Sequence, residues 1–273
     1  MHSLSAVLRL SRVHNCIALS ALYIASLRLF SEATPDAPLL TAAWLAAAAF
    51  SYAYNDLADV SVDRINHPER PLPSGHLSIA FVRSFVAILA ASLVLAAVVL
   101  LRSSLLWPLT GIAGGILYSS ILRKKFPLAA NLLTSVLVTL VPFSAASGHI
   151  TSPLLAPVCA LVFMIIFARE LLKDLMDRAG DAGTRRIGLL AAPLQRLGTI
   201  LYSTALLIAL AALTALATLQ NPSGLFLLFA LLTVAAISFS LFLFLRSSGV
   251  HVPALLLRVA AYLVVPLLFA STP

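Results

Sequence analysis

Residues 38–63 read PLLTAAWLAAAAFSYAYNDLADVSVD, and the character of this stretch changes near its end. Its larger part is apolar, and a run of about twenty apolar residues is long enough for a helix that crosses a membrane. Its last nine residues carry Asp56, Asp59 and Asp63, although the whole chain of 273 residues has only ten acidic residues. Such a concentration of carboxylates at the end of an apolar run requires a chemical reason.

Apolar runs recur along the whole chain. Hydrophobic residues make up 61% of the sequence and charged residues 10%, a composition far from that of soluble globular domains. Runs long enough to span a bilayer lie near residues 13–30, 38–58, 79–101, 104–121, 127–147, 154–175, 197–219, 223–245 and 253–270. They are continuously apolar rather than alternating, which favours helices over a β-barrel. The sequence predicts an all-α polytopic membrane protein with about nine transmembrane helices in a single domain, residues 1–273.

The basic residues predict the orientation of these helices. If all nine runs cross the membrane, thirteen Lys and Arg residues lie on the side of the N-terminus, whereas only Arg28 and Arg102 lie on the other. Basic loops usually stay in the cytoplasm, so we expect a multi-pass protein of the cell membrane with a cytoplasmic N-terminus. This distribution accounts for the net charge of +8 without a nucleic-acid partner. No obligate protein partner is indicated either.

A second acidic group repeats the spacing of the first. The two groups, each with offsets of three and four residues, are Asp56, Asp59 and Asp63, and Asp174, Asp177 and Asp181. These offsets place side chains on one face of a helix. Both groups lie at the predicted cytoplasmic ends of apolar runs, so two acidic faces are expected on the same side of the membrane.

Carboxylates that share a face repel one another, so a cation is expected between them. Mg²⁺ prefers carboxylate oxygens and typically completes its shell with water and substrate phosphate, which favours a metal-bound diphosphate. Two alternatives remain open. The acids could be solvated helix ends paired with nearby Arg and Lys, or they could line the ion pathway of a transporter, which would spread them through the depth of the bilayer.

The letters around both acidic groups resemble the two signatures of the UbiA-type intramembrane prenyltransferases. The first signature is NDLADVSVD at 55–63 with NHPERPLPSG at 66–75, and the second is RELLKDLMDRAGD at 169–181. The resemblance implies helices around a central cavity that opens to the cytoplasmic side. It also implies a Mg²⁺-dependent reaction in which a prenyl diphosphate loses its diphosphate and a lipophilic acceptor captures the prenyl group in the membrane lipid.

The same resemblance implies residue roles. The expected catalytic residues are Asp59, Asp63, Asp177 and Asp181. The expected metal ligands are Asn55, Asp56, Asp59, Asp174, Asp177 and Asp181. The expected substrate-binding residues are Arg12, Asn15, Arg70, Tyr118, Ser119, Lys124, Asn131 and Lys173. We interpret the proline-rich segment after Asp63 as a loop that carries Arg70 back over the site.

The acceptor is the least determined part of the reaction. The residues of the two motifs are most similar to those of the digeranylgeranylglyceryl phosphate synthase branch. This resemblance implies a geranylgeranyl donor and geranylgeranylglyceryl phosphate as acceptor. An aromatic quinone precursor and a chlorophyll-type acceptor remain alternatives. Small residues such as AGG at 113–115 either leave a groove for the prenyl tail or let two helices pack closely.

Overall fold

The fold is known from a computed structural model, which describes residues 4–30, 35–146, 150–176, 195–219, 222–246 and 251–270. All regular secondary structure within these ranges is helical. Eight helices there are long and apolar enough to cross a membrane, and Val13–Leu29 is a shorter apolar helix at the position of the first predicted run. The predicted all-α membrane protein of about nine helices is therefore confirmed.

The described residues fall into two compact units, of which the first contains residues up to Ser20 and Pro35–Leu133. Its elements are α1 (Leu4–Leu10), the start of α2 (Val13–Leu29), α3 (Ala37–Ala58), α4 (Val60–Asn66), α5 (Ile79–Leu100), α6 (Leu106–Leu117), α7 (Arg123–Lys125) and the start of α8 (Pro127–Ala145). Helix α3 contacts α1, α5 and α6. The first acidic group therefore begins on α3, which is the helix with the most neighbours in this unit.

Helix α3 ends within the acidic group. The backbone of Asp59, with φ −106° and ψ 10°, separates α3 from α4. The hydrogen-bond ladder nevertheless continues through this break, because the Asp59 N–H donates to the Asn55 carbonyl (2.9 Å) and the Asp63 N–H donates to the Asp59 carbonyl (2.8 Å). The sequence predicted an unbroken helical face, and the structure keeps the acids together through a local bend.

Two glycines let α6 approach α3 closely. A Cβ atom at Gly115 would lie 2.6 Å from the Ser51 hydroxyl oxygen, and one at Gly111 would lie 3.5 Å from the Trp44 ring. Real Cβ contacts are almost never as short as the first of these, so only glycine fits at residue 115 without a shift. Of the two interpretations of the small residues at 113–115, the structure supports close helix packing at Gly115.

A π-helical turn follows α6 at Tyr118–Leu122. It is closed by a hydrogen bond from the Arg123 N–H to the Tyr118 carbonyl, five residues earlier. Such wide turns insert one extra residue into a helix and often occur at functional sites. Here the turn aligns Arg123 with Tyr118 before the chain continues into α7.

The second unit contains the rest of α2 and α8 together with α9 (Leu155–Met176), α10 (Gln195–Leu219), α11 (Gly224–Leu245) and α12 (His251–Ala270). A buried polar chain links its last three helices. The Ser240 hydroxyl donates to the Pro253 carbonyl (3.0 Å) and lies 2.7 Å from the Tyr202 hydroxyl. Because the Ser240 proton points to the Pro253 carbonyl, the Tyr202 hydroxyl must be the donor to Ser240. Both hydroxyl groups therefore donate a hydrogen bond.

Candidate functional site

The first acidic group is almost completely buried. Asp56 and Asp59 are each 1% exposed, Asp63 is 2% exposed and the neighbouring Asn55 is 6% exposed. Burying a carboxylate costs several kcal/mol unless opposite charge and hydrogen bonds compensate for the lost water. The surroundings of these aspartates must therefore supply cations.

Asp56 is held by two guanidinium groups. Its Oδ1 atom lies 2.8 Å from Nη2 of Arg12 and 3.4 Å from Nη1 of Arg70. Arg12 lies in the turn between α1 and α2 with a left-handed φ of 47°, a conformation that is unfavourable for residues other than glycine. Its guanidinium also stacks over the Tyr52 ring, 5.0 Å from the ring centre. The predicted site residue Arg12 thus reaches the first acidic group.

The proline-rich loop carries Arg70 onto the same group. Gly75 turns the chain with φ 77°, and the Leu77 N–H donates to the Pro71 carbonyl (3.0 Å). Nη1 of Arg70 then donates to Oδ2 of Asp63 at 2.6 Å. Burial raises the pKa of Asp63 above its usual value, and the Arg70 guanidinium opposes that shift. The loop thus brings Arg70 to Asp63 and Asp56, and the role of Arg70 in substrate binding stays a prediction.

Arg123 faces the remaining two members of the group. Its Nη1 atom lies 3.4 Å from Oδ1 of Asn55, 3.6 Å from Oδ2 of Asp59 and 3.2 Å from the Tyr118 hydroxyl. The buried Ser119 hydroxyl lies 3.5 Å from the same Asn55 oxygen. The structure therefore brings the predicted residues Tyr118 and Ser119 to the acidic group.

Sequence reasoning selected Lys124 from the basic segment 123–125 and missed Arg123. The structure leaves the Lys124 side chain exposed and turns Arg123 inward, where its side chain is 12% exposed. A signal for this was present, because Arg123 follows Ser119 by four residues and therefore shares its helical face. The π turn, which adds the alignment with Tyr118, has no comparable mark in the sequence.

The second acidic group is described only in part. On α9, Glu170 is buried and lies 3.4 Å from Nη1 of Arg169 and 3.3 Å from Nζ of Lys173, while Asp174 is partly exposed. Asp177 and Asp181 lie outside the described residues, so their predicted roles as catalytic residues and metal ligands remain predictions.

Two further predicted residues have defined positions in the first unit. Asn131 is buried on α8. The Asn15 N–H donates to the Arg12 carbonyl (2.8 Å), so Asn15 lies next to the turn that positions Arg12. Asn15 is thus close in the chain to Arg12, which contacts Asp56, and Asn131 lies on a helix that begins in the same unit.

The donor atoms of the first group fit a divalent metal ion in part. No group of three or more His, Cys, Asp and Glu side chains within the described ranges could hold a metal by itself. Asn55 and Asp59, however, offer buried oxygens of the kind that Mg²⁺ prefers. Their contacts with Arg123, 3.4 and 3.6 Å, are longer than the 2.8 and 2.6 Å contacts at Asp56 and Asp63. Asn55 and Asp59 are therefore candidate metal ligands in this part of the site, and that role remains a prediction.

Comparison with known proteins agrees with these features. Residues 16–265 match the family model described as the UbiA prenyltransferase family. The chain belongs to this family. The UbiA match includes both acidic groups and extends from α2 into α12, so it covers nearly the whole chain.

Individual UbiA relatives are similar over much of their length. The digeranylgeranylglyceryl phosphate synthase of Methanoculleus marisnigri is 34% identical over 188 residues, which are 66% of this chain and 65% of that protein. The enzyme of the same name from Methanopyrus kandleri is 36% identical over 225 residues, 80% of each chain. The chain thus spans slightly less than two thirds of the first relative.

The fold is also similar to a solved structure, that of a UbiA homologue from Archaeoglobus fulgidus bound to GPP and Mg²⁺. The TM-score is 0.68 at 17% sequence identity, and the superposition covers 98% of this chain and 99% of that one. At this identity the likeness concerns the fold.

Proposed function

We propose that this protein catalyses the Mg²⁺-dependent transfer of a prenyl group from an allylic diphosphate to a lipophilic acceptor, with release of diphosphate. The observation that carries the proposal is the buried group of Asn55, Asp56, Asp59 and Asp63 with three arginines against it. The Archaeoglobus homologue bound to GPP and Mg²⁺ supports both the type of donor and the metal.

Asn55 and Asp59 are the proposed metal ligands of the first acidic group, and Asp174, Asp177 and Asp181 are those of the second. A Mg²⁺ ion held there supplies Lewis-acid stabilisation of the negative charge on the departing diphosphate. Asp56 and Asp63 hold Arg12 and Arg70 in place through their short contacts. The first acidic group thus has two parts, one that binds the metal and one that positions cations.

The step that these residues assist is the cleavage of the bond between the first prenyl carbon and the diphosphate oxygen. The electron pair leaves with the oxygen, so negative charge grows on the diphosphate while an allylic cation forms. Arg123, Tyr118 and Ser119 lie beside Asn55 and can donate hydrogen bonds to this growing charge. The proposed further substrate contacts are Asn15, Lys124, Asn131 and Lys173.

We favour geranylgeranyl diphosphate as the donor and geranylgeranylglyceryl phosphate as the acceptor, because two relatives of 34% and 36% identity are digeranylgeranylglyceryl phosphate synthases. The acceptor hydroxyl oxygen attacks the allylic carbon, a new C–O bond forms and the hydroxyl proton leaves to a base. The apolar helices, eight of which among the described residues are long enough to cross a membrane, suit two lipid substrates. We place the site at the cytoplasmic side, where the basic loops are expected.

An assay of the purified full-length chain in detergent tests this proposal. The protein is incubated with Mg²⁺, labelled geranylgeranyl diphosphate and either geranylgeranylglyceryl phosphate, 4-hydroxybenzoate or a chlorophyllide. We expect one diphosphate per labelled ether product with the first acceptor, and no product in EDTA. Absence of diphosphate release with every acceptor would contradict the prenyltransferase proposal, and product with 4-hydroxybenzoate or the chlorophyllide alone would contradict the choice of acceptor.

A further inference from the structure

The guanidinium of Arg123 lies against the oxygens that are best suited to bind the metal. Nη1 of Arg123 is 3.4 Å from Oδ1 of Asn55 and 3.6 Å from Oδ2 of Asp59. We propose that Arg123 competes with the divalent cation for Asn55 and Asp59, so that tight metal binding requires the diphosphate. This inference rests on the proposed function.

Competition follows from the geometry of the three side chains. A Mg²⁺ ion binds its oxygen ligands at about 2.1 Å. An ion at that distance from both Oδ1 of Asn55 and Oδ2 of Asp59 would lie within a few ångströms of the Arg123 guanidinium, because a single Arg123 nitrogen already lies close to both oxygens. Two cations at that separation repel strongly in a poorly solvated environment, and Arg123 must move or the ion binds weakly.

Among the described residues, three arginines contact the first acidic group, and Arg123 is the one that is best placed to move. Arg12 and Arg70 contact Asp56 and Asp63 at 2.8 and 2.6 Å, within ordinary hydrogen-bonding distance. The two contacts of Arg123 with the metal-binding oxygens are both longer. Its hydrogen bond to the Tyr118 hydroxyl (3.2 Å) connects it to the neighbouring π turn. Arg123 can therefore leave Asp59 without uncovering Asp56 or Asp63.

A diphosphate removes the conflict between the two cations. Its oxygens can accept hydrogen bonds from the displaced Arg123 and can also bind the metal, so that each cation faces negative charge. Metal and diphosphate then raise each other's affinity, and by thermodynamic linkage the factor is the same in both directions. Arg123 is in this sense a positioning residue that makes the complete metal–diphosphate pair the favoured state of the site.

Mn²⁺ binding to the purified full-length protein, followed by electron paramagnetic resonance, measures this effect without any turnover. In the absence of diphosphate, we expect Arg123→Ala to bind Mn²⁺ about tenfold more tightly than the wild type, a factor within the usual range for coupled sites. Inorganic pyrophosphate should then tighten Mn²⁺ binding more in the wild type than in Arg123→Ala, once the Mn²⁺ held by pyrophosphate in solution is subtracted.

The matched control is Lys125→Ala. It removes one positive charge from the same short helix, but at an exposed side chain, and should bind Mn²⁺ as the wild type does. Arg123→Gln keeps a polar side chain and replaces the alanine variant if thermal unfolding shows that Arg123→Ala is misfolded. It should also bind Mn²⁺ more tightly than the wild type.

Two results would overturn the inference in different ways. If the wild type transfers prenyl groups but both Arg123 variants bind Mn²⁺ with wild-type affinity, the competition is contradicted and the proposed function is not. Absence of Mn²⁺ binding in every variant, with and without pyrophosphate, contradicts the proposed function and the competition together.

Discussion

At the scale of single residues, the three aspartates of α3 and α4 differ in what holds them. Asp56 lies between Arg12 and Arg70, and Asp63 is paired with Arg70 at 2.6 Å. Asp59, at the break between the helices, has a longer contact of 3.6 Å with Arg123. This difference separates the two aspartates that position cations from the one proposed to bind metal.

Removing Arg70 should destabilise the fold through Asp63. Arg70→Ala leaves Asp63 without its 2.6 Å partner in a position where the residue is 2% exposed, so we expect the free energy of unfolding to fall by about 3 kcal/mol. Thermal and denaturant unfolding in detergent measure this change. Adding Asp63→Asn should recover part of the loss, because a neutral amide is easier to bury than a carboxylate.

The control for this pair is Arg64→Ala, which removes an exposed arginine from α4. It should leave stability within about 0.5 kcal/mol of the wild type. If Arg70→Ala were as stable as Arg64→Ala, the ion pair between Arg70 and Asp63 would not contribute as described.

At the scale of helices, the site depends on how closely α6 packs on α3. Ser51 and Asn55 are one helical turn apart on α3. Gly115 on α6 and Ser119 in the π turn that follows α6 are also four residues apart. The contact of Gly115 with Ser51 therefore sets the distance between Ser119 and Asn55, which is 3.5 Å. A wider separation of the helices would move Ser119 and Arg123 away from the acidic group.

Gly115→Ala tests this dependence. Its Cβ would lie 2.6 Å from the Ser51 hydroxyl oxygen and 3.1 Å from the Ser51 Cβ, so we expect a loss of about 1–3 kcal/mol in stability and reduced prenyl transfer. Ser51→Gly removes both contacting atoms and leaves the Ser51 Cα at 3.5 Å, an ordinary contact. The double variant should therefore be more stable than the sum of the single changes predicts.

Gly224→Ala is the matched control, because a Cβ at Gly224 meets nothing within 4 Å. Unfolding measurements on all four variants give the coupling between residues 51 and 115. Additive effects at these two positions would contradict the close approach of α3 and α6.

The helices and the acidic face were predictable from the sequence for physical reasons. A chain in lipid must satisfy its backbone hydrogen bonds internally, so long apolar runs become helices. Offsets of three and four residues then place Asp56, Asp59 and Asp63 together, and the bend at Asp59 does not separate them. Local periodicity sufficed for both features.

The pairing of the charges was not predictable in the same way. Arg12 and Asp56 are 44 residues apart in the chain, and Arg123 is 68 residues from the neutral Asn55 whose oxygen it also contacts. Which guanidinium reaches which carboxylate depends on helix packing at Gly115 and on the π turn at 118–122. Neither follows from the period of the hydrophobic residues. The four-residue offset between Ser119 and Arg123 is the part of this arrangement that the sequence did indicate.

At the scale of the whole molecule, the basic loops predict that the acidic site faces the cytoplasm. Thirteen Lys and Arg residues on one predicted side against two on the other favour this orientation. The loop that carries Arg70 should then be cytoplasmic, and the connection between α5 and α6 should face outward.

Single-cysteine labelling measures this orientation. In a background with Cys16→Ser and Cys159→Ser, we expect a membrane-impermeant thiol reagent to label Ser103→Cys in intact cells. His76→Cys, in the Arg70 loop, should react only in inverted vesicles; both positions are exposed. Labelling of His76→Cys in intact cells would contradict the predicted orientation.

The central claim is that the first acidic group binds the metal that assists departure of the diphosphate, and Asp59→Asn tests it most directly. The change keeps the shape of the side chain and removes one charge from a residue that is 1% exposed. With saturating geranylgeranyl diphosphate, geranylgeranylglyceryl phosphate and Mg²⁺, we predict that kcat falls at least about a hundredfold while the unfolding temperature does not fall. Glu69→Gln, at a side chain that is 72% exposed, should keep wild-type kcat. A kcat for Asp59→Asn equal to that of the wild type would contradict the account.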